Sequence, residues 1–158
     1  MKKKFIFILV FAVGITGFYL LSGNAQQPFD GTVATGFGVG EPHVVAYYFH
    51  TTFRCPSCHK IEQYTEAALK DSFSSELESG RLVYEVVNVE DKGNEHFVKD
   101  YQLYTKSVVL SLVKDGKEIR FKNLERVWQL LGNKDGFYDY ITEETRSFLD
   151  GLSEGGNR

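Results

Sequence analysis

The chain has 158 residues, 42% of them hydrophobic and 25% charged. That is one ordinary domain with enough apolar residues for a core, and it excludes a disordered chain. The formal charge is −3 and falls to about −6 once Lys2, Lys3 and Lys4 are set aside, with no basic patch, which excludes nucleic acid as a partner.

Those three lysines open the chain. An apolar run from Phe5 to Leu21 follows, then Ser-Gly-Asn-Ala-Gln, with Gly23 and Ala25 placed like the small residues of a cleavage site. The pattern is that of a secretory signal over residues 1–25. Its roughly 17 apolar residues reach the lower limit for spanning a bilayer, so an uncleaved N-terminal anchor stays open. Either way the lysines point the rest of the chain out of the cytoplasm, to a periplasmic or cell-surface location. No cysteine lies near the junction, which excludes a lipid-modified one. Residues 26–42 are rich in Gly, Thr, Gln and Asp and read as a flexible linker. Gly36-Phe-Gly38-Val-Gly40 has the wrong spacing for a phosphate loop and no strand before it.

The folded domain is expected over residues 43–152, with 153–158 as a disordered tail. Val44 to Phe49 is β-branched and aromatic and predicts a buried strand. From Cys58 the apolar spacing of Ile61, Tyr64, Ala68, Leu69, Phe73 and Leu77 predicts one helix, closed by Gly80. Leu82 to Val89 predicts a second strand, Asn94 to Leu103 a short helix and Val108 to Val113 a third strand. Asp115-Gly116 is a hairpin turn signal before a fourth strand over Glu118 to Lys122. Leu124 to Leu131 predicts a short helix, and Asp135 could cap a last one that turns Tyr140, Ile141, Phe148, Leu149 and Leu152 inward. The order is β-α-β-α-β-β-α, an α/β fold with a mixed four-stranded central sheet flanked by helices.

The two cysteines of the chain, Cys55 and Cys58, fall where the first strand hands over to the first helix. That is the functional end of an open α/β sheet. Cys55-Pro-Ser-Cys58 is a redox spacing, and His59 turns it into the haem-attachment pattern as well. Haem is disfavoured. The single methionine, Met1, lies in the signal and cannot be an axial ligand, and His43, His50 and His96 form no partner motif. A fixed structural disulfide is disfavoured too, because a two-residue loop restricts the unfolded chain little.

For redox work the roles divide by position. Helix-opening N–H groups and the Arg54 cation favour a thiolate at Cys55, the attacking thiol. Cys58, one turn further in, resolves the mixed disulfide. Pro56 suits the first helical turn, Ser57 lies between the cysteines, and Glu62, a turn beyond Cys58, is a candidate for proton transfer. The alternative is a thiol-based metal or metalloid module. Two sulfurs suit Cu(I) or arsenite, with His50 as a possible third ligand.

Strand, then C-x-x-C opening a helix, then β-α-β-β-α resembles the thioredoxin-like superfamily over Val44 to Leu152. "YYFHTTFRCPSCHKIE" and Ser107-Val-Val-Leu are more closely similar to the small secreted ArsF-like family, described as nitrophenyl-compound nitroreductase subunit. The resemblance implies a redox-active Cys55–Cys58 disulfide with no other cofactor. It implies a monomeric domain whose partner is a thiol/disulfide protein or a membrane electron donor. It also exposes two departures. Where the superfamily usually has a cis-proline before the third strand, this chain has Thr105-Lys106-Ser107, for which a trans peptide is expected. Lys106 or Ser107 then faces the sulfurs with a cation or a hydroxyl. Where a buried carboxylate often sits beneath the second cysteine, the matching position is Phe49.

Overall fold

The computed structural model describes residues 40–153. The expected signal or anchor, most of the linker and residues 154–158 lie outside the described residues. Among the described residues no helix is long and apolar enough to cross a membrane.

Strand β1 (His43–His50) pairs parallel with β2 (Leu82–Asn88) and antiparallel with β3 (Ser107–Lys114), which pairs antiparallel with β4 (Lys117–Asn123). The sheet order is β2-β1-β3-β4. The two central strands are covered on both faces, which is why their sequences are nearly continuous apolar runs. Strand alternation divides them. Val44, Ala46 and Tyr48 of β1 and Val108, Leu110 and Leu112 of β3 join a large core with helices α1 (Pro56–Ser72) and α4 (Lys134–Ser153). Phe49 and Val109 face the other way, into a smaller cluster with Tyr101, Phe97 and Leu103 around α3 (His96–Asp100). The outer strand β4 is exposed and carries Lys117, Arg120 and Lys122, charges that blunt a sheet edge.

The expected α/β order is present, with four local corrections. The long helix expected from Cys58 to Gly80 is two. It starts at Pro56 and breaks at Phe73, whose φ of −139° is not helical, before α2 (Ser74–Ser79) resumes. Asp71, Ser72, Ser74 and Ser75 favour turns over helix, and the break lets Phe73 bury its ring in the core at 2% exposure. Gly80 closes α2 at φ 68°, as expected. Helix α3 is shorter than Asn94 to Leu103. Gln102 enters the left-handed region at φ 51°, and Leu103 N–H donates back to Val98 O, a helix stop supplied by a non-glycine residue. Glu125–Trp128 is a 3-10 turn rather than an α-helix. The cap of α4 is Asn133, not Asp135: Asn133 Oδ1 accepts Gly136 N–H at 3.1 Å, and Asp135 sits within the first turn. The hairpin turn expected at Asp115-Gly116 has φ of 52° and 70°, the paired left-handed conformation of a tight two-residue turn.

Candidate functional site

The site begins where β1 ends. A loop over residues 51–54 leaves the sheet and is tied to the end of β2. Thr52 N–H donates to Glu90 Oε2 at 2.9 Å, and Asn88 Nδ2 donates to Thr52 Oγ1 at 3.2 Å. The hydrogen bonds from Thr52 hold the Glu90 carboxyl below its ordinary value, with the Lys106 cation acting in the same direction. Cys55 follows as the N-cap of α1, with Pro56 in the first turn. Proline fits there because its missing N–H would have had no helical acceptor.

Cys55 and Cys58 form a disulfide with Cα atoms 5.0 Å apart. Each sulfur accepts an N–H from the other residue: Cys58 N–H reaches Cys55 Sγ at 3.2 Å, and Cys55 N–H reaches Cys58 Sγ at 3.1 Å. Cys55 is half-buried, whereas Cys58 is fully buried. The positive end of α1 therefore addresses the reachable sulfur, an arrangement that favours a thiolate there when the bond opens.

Beneath this turn lies a polar group of Tyr48, Arg54 and Glu62. Tyr48, fully buried on the α1 face of β1, donates its hydroxyl to the Cys58 carbonyl at 2.7 Å. Burial raises its pKa above the ordinary phenol value, and the neighbouring Arg54 partly offsets this. The Arg54 guanidinium lies 5.7 Å from the Tyr48 ring centre and pairs with the Glu62 carboxylate on α1. Tyr84 of β2 reaches the Glu62 carbonyl at 3.5 Å, and burial pushes its hydroxyl far above the phenol range. Glu62 is thus the partner of a cation.

The strand residue that faces the cysteines is Tyr48, not Phe49. Phe49 belongs to the cluster on the opposite face, stacked on Tyr47 at 5.1 Å. Period-two alternation carried that information, since Tyr48 shares its parity with Val44 and Ala46.

The other expected neighbours are more dispersed. Ser57 is half-buried, and Pro56 and His59 are exposed at the start of α1. His50 uses Nδ1 on the Thr51 carbonyl at 2.9 Å. Among the described residues no three His, Cys, Asp or Glu side chains come together to hold a metal. Ser107 is buried in register with Phe49 and donates to the Thr105 carbonyl at 2.9 Å. No cis peptide occurs among the described residues, in line with the trans expectation at Lys106–Ser107. Lys106 is half-buried on the rim of two clefts. One, of about 300 Å³, is lined by His50, Glu90, Val98 and Leu103 among others; the second, of about 240 Å³, lies against Leu124 and Trp128. The Trp128 indole N–H donates to the Lys106 carbonyl at 2.8 Å and anchors the loop before β3. Tyr104, in that loop, is 94% exposed, and Phe53, beside Arg54, is 77% exposed.

The mixed sheet, its strand order and the disulfide at the β1–α1 junction decide the architecture. The fold is thioredoxin-like. No family model and no curated protein matches the chain. Among solved structures it is similar to a thioredoxin of Fasciola hepatica, at 20% identity over 64% of this chain and 80% of that one, with a TM-score of 0.38. It is also similar to oxidised thioredoxin O2 from Arabidopsis thaliana, at 14% identity over 61% of this chain and 76% of that one, TM-score 0.36. Oxidised thioredoxin from Plasmodium falciparum matches at 18% identity over 60% and 83%, TM-score 0.37. None of these comparisons shows a nearer likeness to the ArsF-like family. A thioredoxin-like fold carrying a C-x-x-C disulfide at a helix start is suited to thiol–disulfide exchange.

Proposed function

We propose that this chain is an exported thiol–disulfide oxidoreductase in which Cys55 attacks and Cys58 resolves. The observation that carries the reading is the asymmetry of the pair: Cys55 is reachable and caps α1, whereas Cys58 is fully buried behind it. In the reducing direction the Cys55 thiolate attacks a partner disulfide and forms a mixed disulfide. Cys58 then loses its proton and attacks Cys55 Sγ, which closes the internal disulfide and releases the partner thiolate. The exposed Phe53 and Tyr104 supply apolar surface for a thiol/disulfide protein or a membrane electron donor. The lysine-led apolar N-terminus supports export, to a periplasmic or cell-surface compartment where disulfides form.

The test is exchange in glutathione buffers with single-cysteine variants. Cys58→Ser should trap a mixed disulfide through Cys55, and Cys55→Ser should be inactive. A wild-type pair that never exchanges, or a Cys55→Ser variant as active as the wild type, refutes the reading.

A further inference from the structure

The two edges of the sheet are defended differently. β4 carries Lys117, Arg120 and Lys122, and a bulge between Leu112 and Val113 interrupts its ladder with β3. Such features discourage a further strand from adding. β2 forms the other edge, pairs with β1, and reads Leu-Val-Tyr-Glu-Val-Val-Asn, with no lysine, arginine or proline. Its hydrogen-bond parity is fixed at both ends: Val44 N–H donates to Arg81 O and Val89 N–H to His50 O, each at 2.9 Å. Alternate residues of a strand bond to the same neighbour. Val83, Glu85 and Val87 thus face β1, and the N–H and C=O groups of Leu82, Tyr84 and Val86 point outward. Among the described residues these outward groups have no partner. Two charges flank Val83. Register sets Val83 beside Val45 and Glu85 beside Tyr47, and alternation puts Arg81 on that same face. Arg81 is exposed and Glu85 half-buried, and neither is in an ion pair among the described residues.

We propose that β2 is a self-pairing edge, through which two copies of this chain join antiparallel about a two-fold axis at Val83. In that register Leu82 of each copy exchanges main-chain hydrogen bonds with Tyr84 of the other. Val83 meets its own counterpart, and Arg81 stands opposite Glu85 on both sides of the axis. These are the non-hydrogen-bonded positions, where facing side chains approach most closely. The two charges left unpaired in one copy are thereby matched by the other, the self-complementarity that a two-fold contact requires. The neighbouring register, with Tyr84 on the axis, sets Arg81 opposite Val87 and Glu85 opposite Val83 and matches neither charge. Residues 26–42 of the same chain are a poorer occupant. Gly31, Gly36, Gly38 and Gly40 weaken a strand, and Asp30 and Glu41 are the charges there, so no cation is offered to Glu85. Because β1 and β2 run parallel within each copy, the two cysteine turns lie at opposite ends of the joined sheet and both stay open.

Sedimentation equilibrium of the full chain across a wide concentration range tests this, with circular dichroism of each variant as the check on folding. The ladder is short for a stable interface, so dilute protein should be monomeric and concentrated protein dimeric. Arg81→Glu and Glu85→Arg each set like charges opposite one another twice, and each should weaken association about tenfold. The double variant Arg81→Glu/Glu85→Arg restores opposite pairs and should recover it. Hydrogen exchange gives a second readout that needs no substitution: the Leu82 and Tyr84 amides should exchange freely in dilute protein and slowly in concentrated protein. A chain that stays monomeric at the highest concentration refutes the proposal. Association unchanged in the single variants places the contact elsewhere, such as the apolar N-terminus, and overturns it, as does a double variant no tighter than the singles. Leu82 and Tyr84 amides protected at every dilution would mean that the chain covers its own edge, which overturns it too. If Glu85→Arg does not fold, Arg81→Glu and the exchange of the two amides decide.

Discussion

Tyr48→Phe is the sharpest probe of how the cysteine turn is held. The substitution keeps the buried ring and deletes one hydroxyl, the donor to Cys58 O at 2.7 Å. The lost bond is buried, but the carbonyl left behind is an α1 carbonyl that still faces the helical N–H four residues on. The loss therefore sits within the usual net range for one hydrogen bond, about 1 kcal/mol. In a domain of about 110 residues that lowers Tm by roughly 4 °C. The pH dependence has a definite sign. Burial raises the Tyr48 pKa above its ordinary value of 10.0. A group raised in the folded state contributes stability that is complete below the unfolded value and is lost as pH rises through the folded one. The penalty of Tyr48→Phe should accordingly be constant from neutral pH to about pH 10 and shrink above it. Thermal unfolding of the oxidised protein, followed by circular dichroism across that range, measures both effects. A variant as stable as the wild type at neutral pH would refute the view that this bond anchors the turn.

Glu85, on β2, has its carboxyl pushed up, first by burial, with His43 acting against the shift. Glu85→Gln should raise Tm at pH 7, with the gain disappearing as pH falls through the ordinary carboxylate value of about 4.3, where both proteins carry a neutral group; a loss of stability at pH 7 would contradict the burial argument. Thr65 of α1 is fully buried, and its hydroxyl has no partner among the described residues. Thr65→Val keeps the shape, removes the stranded oxygen and should stabilise by about 1 kcal/mol in urea unfolding. A destabilised valine variant would mean that the hydroxyl is satisfied in solution.

The element order was legible because its signals are local. β-Branched runs marked each strand, and Asp115-Gly116 marked the hairpin. The spacing of Ile61, Tyr64, Ala68 and Leu69 marked α1. The misplaced boundaries arose where tertiary packing overruled local preference. Phe73 leaves the helix to bury its ring, and Gln102 takes a left-handed conformation that propensity assigns to glycine. Asn133 rather than Asp135 caps α4, because the helix begins at Lys134 and Asp135 already lies within its first turn.

At the site, the sequence alone determined the chemistry: two sulfurs three residues apart at a strand-to-helix junction, the first beside a cation. That much follows from spacing, because one helical turn places Cys55 and Cys58 within bonding reach whatever surrounds them. The surroundings were decided only by folding. Tyr48, Arg54 and Glu62 come from a strand, a loop and a helix, and no local pattern states that they meet. Strand alternation separates Tyr48 from Phe49, but only the packing of α1 on one face of the sheet set Tyr48 beneath the cysteines. The same packing paired Glu62 with Arg54. Side-chain pairing across elements depends on which faces the core brings together, and that is a property of the packed sheet and helices.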